Sequence, residues 1–242
     1  MLIYSSFSDK GDRDINEDSI AVAEKDGRYC FVLCDGLGGH GKGDLASASV
    51  TGSIIECFNE IGTEDKFLDT AMVKAQEKLL AEQKRIGAVN QMKTTAVVLL
   101  IHEDKFRYAY IGDSRLYHFR KNKVFSRTLD HSVPQMLVYA GDIKEKHIRC
   151  HPDRNRLLRV MGVEWDSPRY VITEVDTLRG GDAFLLCSDG FWEPIVEKEM
   201  CRLLKKSDGA EDWLTAMSRT VKENGKGTNM DNYSAITVMY RD

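Results

Sequence analysis

Proline is scarce in this chain, four in 242 residues, and no Ser/Gly-rich or low-complexity tract interrupts it. Nothing therefore reads as a flexible linker, no repeat of roughly 20 to 50 residues is visible, and the length fits one large domain. Long hydrophobic runs are missing too: the longest aliphatic stretch, Ala96 to Ile101, is far too short to cross a bilayer. The opening MLIYSSFSDKG has neither the basic start nor the apolar segment of a secretory signal, so a cytoplasmic protein is expected. Charge of one sign is not in excess. Thirty-four basic against 38 acidic residues give a formal charge of −4, which argues against a general nucleic-acid binder. Six cysteines, Cys30, Cys34, Cys57, Cys150, Cys187 and Cys201, form no CxxC pair and no zinc-like spacing with histidine. Cys34 and Cys187 lie in apolar runs, where cysteine behaves as a small hydrophobe, so reduced core thiols are expected.

What is present is a series of short strand-like segments. Alternation and β-branched or aromatic enrichment predict strands over Ser19–Ala23, Tyr29–Cys34, Thr94–Ile101, Phe106–Ile111, Arg115–Arg120, Tyr170–Val175, Ala183–Cys187 and Ser234–Tyr240. Lys121-Asn122-Lys123 predicts a hairpin into a further strand at Val124–Arg127, and Gly112-Asp113-Ser114-Arg115 predicts a tight hairpin between two others. Helices are expected over Asp44–Asn59, Glu64–Arg85, Glu193–Lys205 and Ala210–Glu223. In the second, Phe67, Ala71, Ala75 and Leu79 share one face, and in the last Trp213, Met217 and Val221 do. Strands joined by short turns, with helices inserted in pairs, point to antiparallel sheets covered by helices rather than to alternating βαβ units. Asp142 to Trp165 is charged and fits no strand pattern, which suggests a surface flap.

The chemistry announces itself where apolar runs break into acid and glycine. Phe31 to Gly43 reads FVLCDGLGGHGKG, and Phe184 to Gly190 reads FLLCSDG. Strand ends of this kind deliver Asp35 and Asp189 with glycine behind them, so backbone and ligand can approach closely. Asn16-Glu17-Asp18 and Asp231-Asn232 flank strands in the same way. Four distant segments could thus gather carboxylates, whose repulsion would need cations to offset it. An all-oxygen donor set favours hard ions, magnesium or manganese, over zinc. Gly36, Gly38 and Gly41 also satisfy a dinucleotide fingerprint, and Gly36 to Lys42 part of a P-loop. Against both stands Asp35, a carboxylate that would repel a pyrophosphate unless a metal lay between them. Gly43 also replaces the Ser/Thr of a P-loop. Arg13, three residues before Asn16, offers a bidentate fork for phosphate oxygens. Asp130-His131-Ser132 reads more simply as a helix start than as a nucleophilic pair.

The ordered segments RDINEDS (Arg13 to Ser19), VLCDGLGGHGKGDLAS (Val32 to Ser47), TTAVVLL (Thr94 to Leu100), YIGDSRLY (Tyr110 to Tyr117), LDHSVPQML (Leu129 to Leu137), HPDRNRLLRVMG (His151 to Gly162), LLCSDGFWE (Leu185 to Glu193) and DNYSAITV (Asp231 to Val238) resemble the bacterial metal-dependent serine/threonine protein phosphatases of type 2C, the PPM family. The resemblance spans nearly the whole chain. It implies an α+β fold, a four-layer αββα sandwich of two antiparallel sheets flanked by helices, with a flap around 130–165 of a single catalytic domain. It implies two Mn²⁺ or Mg²⁺ ions, with a possible third, and a water nucleophile. Asp35 would bridge both metals, Asp189 and Asp231 would complete the first, and the Gly36 carbonyl would serve the second. Glu17 and Asp18 would act mainly through waters, Asp113 with Asp189 would hold the third ion, and Arg13 would bind phosphate. The implied partners are phosphorylated proteins and a Ser/Thr kinase, with type VI secretion as one possible setting. This chain departs from its relatives in three places. Leu37 stands where some carry a histidine proposed as general acid, leaving His40 or a water for that role. Lys93 replaces the glycine of the usual Gly-Thr-Thr, and Gly11 lies one residue closer to Arg13.

Two other classes use related parts: a small-molecule phosphohydrolase and a phosphoprotein-binding module without catalysis. Intact Asp35, Asp189, Asp231 and Arg13 argue against the second. Lys144 to Arg159 holds six Lys/Arg against Glu145 and Asp153, and the sharper expectation there is a basic rim, with Lys144, Lys146 and Arg149 facing the substrate.

Overall fold

The computed structural model describes residues 1–37, 41–61 and 66–241. Its strands, in chain order, are β1 (Leu2–Asp9), β2 (Asp18–Lys25), β3 (Arg28–Asp35), β4 (Ala96–His102), β5 (Lys105–Ile111), β6 (Arg115–Arg120), β7 (Lys123–Arg127), β8 (Val171–Ile172), β9 (Asp176–Thr177), β10 (Ala183–Cys187) and β11 (Tyr233–Tyr240). The helices are α1 (Gly43–Ile61), α2 (Phe67–Arg85), α3 (Val133–Ala140), α4 (Asp189–Trp192), α5 (Glu197–Lys206) and α6 (Ala210–Gly225), with a 3₁₀ turn over Glu145–Cys150. One antiparallel sheet runs β2-β3-β4-β5-β8 with β9 beside β5, and the other runs β1-β11-β10-β6-β7.

Why the apolar runs are continuous follows from the layers. In β3, Cys30, Val32 and Cys34 point to α1 and α2, where they meet Val50, Ile54 and Phe58. Phe31 and Leu33, on the other face, join Val97 and Leu99 against Phe184, Leu186, Ile236 and Val238 of the opposite sheet. That sheet's outer face, with Leu185 and Tyr233, is covered by Trp213, Met217 and Val221 of α6. Strands covered on both faces lose polar alternation. Three apolar seams therefore bind four layers, helix, sheet, sheet, helix, and each large side chain so buried is worth about 1.5–3 kcal/mol.

Several boundaries differ from the sequence-based expectation. Gly112 to Arg115 is not a hairpin: β5 and β6 lie in different sheets, so GDSR is the crossover between them. Among Tyr170–Val175 only Val171 and Ile172 pair, with Ala109 and Tyr110. The helix expected over Glu193–Lys205 starts four residues later, as α5, after the short α4; Glu193 is still helical at φ −61° and ψ −46°, and Pro194 has no N–H to carry that turn further. Thr94, expected inside a strand, makes isolated bridges to Gly36 and Met161 before β4 begins. β1 shows no clear strand pattern in the sequence, since its serines dilute the apolar alternation. It pairs with β11 along its whole length, from Leu2 opposite Tyr240 to Asp9 opposite Tyr233. The Lys121-Asn122 turn is confirmed, with both residues at positive φ, 53° and 57°. Gly38 of the glycine loop, His40 and the expected helix start at Glu64 lie outside the described residues.

Between β7 and β8, Ser132 caps α3 by accepting the Gln135 N–H at 3.4 Å, and Gly141 ends that helix at φ 81°. The chain then returns to the sheet region, where Met161 bridges Thr94. Among the described residues no helix is long and apolar enough to cross a membrane.

Candidate active site

The ends of β3 and β10, the start of β11, the approach to β2 and the β5–β6 crossover converge on one open cleft of about 860 Å³. Arg13, Glu17, Asp35, Gly36, Asp113, Asp189 and Asp231 all line it. Asp18 stands opposite Asp35 in the β2–β3 register. Close backbone approach makes this convergence possible. A Cβ at Gly36 would fall 2.2 Å from the Gly43 carbonyl oxygen, and one at Gly190 would fall 2.2 Å from that of Asn232. Only glycine fits such spaces.

Hydroxyls and one amide then lock the acids in place. Thr95 Oγ1 accepts the Asp35 N–H at 3.0 Å and shares a 2.7 Å hydrogen bond with Ser114 Oγ, beside Asp113. Thr94 Oγ1 donates to the Asp35 carbonyl at 2.8 Å. Across the cleft, Ser188 Oγ donates to Asp18 Oδ2 at 2.8 Å and accepts the Ser234 N–H at 2.9 Å, which ties the two sheets together. Asn232 Oδ1 accepts the Glu17 N–H at 2.7 Å, while the Gly43 N–H donates to Glu17 Oε1 at 3.1 Å. These hydroxyls were not singled out from sequence. The available signal was position alone: Thr94-Thr95 and Ser188 adjoin the acid-bearing segments.

Electrostatically the cluster is under strain. Burial, then the charge of Asp189, pushes the Asp35 carboxyl well above its ordinary value. Burial, then Asp113, does the same to Asp189. Asp113 rises to about 7, chiefly by burial and next by Asp130, and Asp18 to about 6, chiefly by burial. Glu17 is raised by burial as well. Asp35 and Asp189 keep some surface open to the cleft, so solvent tempers the effect without reversing its sign. Asp18 Oδ1 is buried with no hydrogen-bond partner. Among the described residues no three Asp, Glu, His or Cys side chains close into a ready-made cage. Hard divalent ions do not require one, since they keep several waters and take carbonyl oxygens. Oxygen-only donors, an orphaned carboxylate oxygen and mutually repelling buried acids fit such ions.

The cations divide into two groups. Arg13 is paired with Asp231 at 3.0 Å, both side chains being well exposed, a contact of little energetic weight that a ligand can readily displace. Arg115 is buried: it grips Asp130 through two hydrogen bonds of 2.8 and 2.7 Å and stacks 3.4 Å from the centre of the Trp192 ring. Trp192 Nε1 donates to the Asp113 carbonyl at 3.0 Å. Arg149 donates to the Trp192 carbonyl and to Glu197 at 2.6 Å. The expected basic rim is thus corrected at Arg149, which turns inward to hold the α4 turn. The cations that do line the cleft beside Arg13 are Lys93, Arg159 and Arg169. As for the thiols, burial pushes Cys34 up to about 12 and raises Cys187 further, so neither is a nucleophile at neutral pH.

Comparison with known proteins agrees with this arrangement. A family profile described as Protein phosphatase 2C matches residues 9–233. The serine/threonine phosphatase stp of Listeria monocytogenes serotype 4b is 33% identical over 226 residues, covering 84% of this chain and 84% of the relative. The structure of Stp1 from Staphylococcus aureus superposes with a TM-score of 0.88 at 28% identity, over 100% of this chain and 96% of that one. The catalytic domain of the phosphatase PstP, solved with two manganese ions, superposes with a TM-score of 0.85 over 100% of this chain and 99% of that one. At 24% identity it speaks for the fold. With the two sheets, the acid-bearing strand ends and a profile match over most of its length in agreement, this chain belongs to the Protein phosphatase 2C family.

Proposed function

We propose that the chain is a metal-dependent serine/threonine protein phosphatase that hydrolyses phosphoserine and phosphothreonine monoesters on proteins. The observation that carries this reading is the pair Asp35 and Asp189, delivered from opposite sheets and forced by burial and mutual repulsion to seek cations, with Arg13 on the same cleft wall. Asp35 would be shared by two Mn²⁺ or Mg²⁺ ions, with Asp189 and Asp231 on one and the Gly36 carbonyl on the other. Glu17 and Asp18 would act through waters, and Asp113 with Asp189 would serve a third ion. When bound, two such ions lower the pKa of a water toward neutrality and offset charge on the phosphoryl oxygens.

The chain's own residues supply the rest. Arg13 exchanges its exposed carboxylate partner for two phosphate oxygens, and its fork geometry orients the monoester. Trp192 and Arg115 hold the Asp113 backbone, and Thr94 and Thr95 hold that of Asp35, so the acids need not reorganise during the reaction. Leu37 lines the cleft and has no proton to give the departing seryl oxygen. We read residues 1–242 as one catalytic domain with 130–165 as its flap, acting in the cytoplasm on phosphorylated proteins against a bacterial Ser/Thr kinase. A type VI secretion system is one setting for such a unit. The test is hydrolysis of a phosphothreonine peptide. EDTA should abolish it and Mn²⁺ restore it, whereas activity that survives exhaustive chelation would defeat the reading.

A further inference from the structure

The catalytic acids occupy only part of the cleft. At about 860 Å³ it matches pockets that enclose whole drug-sized molecules, roughly 300–1,000 Å³, so a phosphoryl group leaves room for neighbouring residues of a polypeptide. Three cations line that remaining space, and they come from three separate segments: Lys93 ahead of β4, and Arg159 and Arg169 from either side of Trp165. None of the three forms an ion pair among the described residues, although most other arginines here do.

Lys93 is the most firmly placed of them. Its carbonyl accepts the Leu37 N–H at 2.9 Å, two residues beyond Asp35. The next residue, Thr94, bridges both Gly36 and Met161 and donates to the Asp35 carbonyl. The backbone that fixes Asp35 therefore fixes the root of Lys93, and the same ladder joins the segment that carries Arg159. Ile15, Leu157, Val160 and Trp165 line the cleft alongside these cations, and Arg159 and Arg169 are exposed, so their charges act through water and are screened by salt.

We propose that Lys93, with Arg159 and Arg169, forms an anion subsite beside the catalytic acids that reads a second negative charge on the substrate, close in sequence to the phosphoresidue. This rests on the phosphatase reading and extends it to specificity. The shared chemistry is a fixed anion, supplied either by an Asp or Glu side chain or by a second phosphate. Lys93 carries the selectivity because it is the cation anchored to the Asp35 ladder.

The test uses four phosphothreonine peptides, with the flanking positions filled by alanine, glutamate, a second phosphothreonine or lysine, and compares kcat/KM for wild type and Lys93→Gln. The wild type should favour the glutamate or doubly phosphorylated peptide over the alanine peptide by about tenfold, equivalent to about 1.4 kcal/mol, and should disfavour the lysine peptide. Which of the two anionic peptides ranks first identifies the source of the charge. In Lys93→Gln the ratio should fall toward one, in Lys93→Glu it should invert, and rising salt should shrink it in the wild type. An equal ratio in wild type and both variants, or no preference in wild type, would overturn the subsite. Hydrolysis of the alanine peptide tests the phosphatase reading by itself. Were no peptide hydrolysed, that reading would fail, and fluorescence anisotropy of the same labelled peptides would deliver the same ratio as binding.

Discussion

At the scale of single residues, the centre is defined by charge placed where protein alone does not compensate it. Asp35→Asn removes the acid that two cations would share, and no neighbouring side chain can replace it. Turnover of a phosphopeptide should fall roughly a hundredfold or more. In EDTA the same variant should melt above wild type, because a repelled buried charge is gone; a variant retaining half of wild-type turnover would remove Asp35 from the centre. The raised carboxyls also set a pH dependence. A group whose folded pKa lies above its unfolded value binds more protons when folded, so its contribution to stability is lost as pH rises through the folded value. With Asp18 at about 6 and Asp113 at about 7, the metal-free protein should lose stability between the ordinary carboxyl value of 3.8 and about 7. Mn²⁺ should flatten that slope. Thermal melts across pH, with EDTA and with Mn²⁺, would show it, and identical profiles would contradict it. Brief iodoacetamide treatment should spare activity, since the thiols at the strand ends are buried and protonated. Cys150 is exposed and its alkylation should be silent.

At the scale of elements, strand ends and glycines do the positioning. Gly190 has ordinary φ, so its requirement is space: a Cβ would sit 2.2 Å from the Asn232 carbonyl oxygen, against the segment that carries Asp231. Gly190→Ala should destabilise the fold by about 1–3 kcal/mol, the usual cost of overpacking, and should weaken Mn²⁺ binding along with it. Denaturant unfolding and a metal titration would check both. What the sequence made legible here depended on periodicity and punctuation. β6 and β10 have the predicted bounds, because both are apolar runs ended by charge or glycine. β1 escaped notice because Ser5, Ser6 and Ser8 mask its alternation, and its identity depends on a partner 230 or so residues away. The GDSR crossover looked like a hairpin because local sequence marks a turn without saying which sheet receives the next strand. The inward turn of Arg149 was equally invisible, since a basic run gives no sign of which member meets Trp192 and Glu197.

At the scale of the whole molecule, the site exists because two sheets end at the same place. Asp35 belongs to one sheet, Asp189 and Asp231 to the termini of strands in the other, and Asp113 to the connection between them. The Ser188 bond to Asp18 and the Thr95–Ser114 bond are direct side-chain links across the seam at this point. The four acid-bearing segments could be picked out from sequence because Asp35 and Asp189 end apolar runs and Glu17-Asp18 and Asp231 flank predicted strands. The cation lining of the cleft could not, because Lys93, Arg159 and Arg169 meet only through the return of Met161 to Thr94. The central claim is that this convergence is a binuclear cation site. Isothermal titration of the chelator-treated protein with Mn²⁺ tests it most directly. Wild type should bind at least two ions per chain, and Asp35→Asn should lose that binding while keeping its circular dichroism spectrum. Undiminished Mn²⁺ uptake by Asp35→Asn, or none by wild type, would contradict the account.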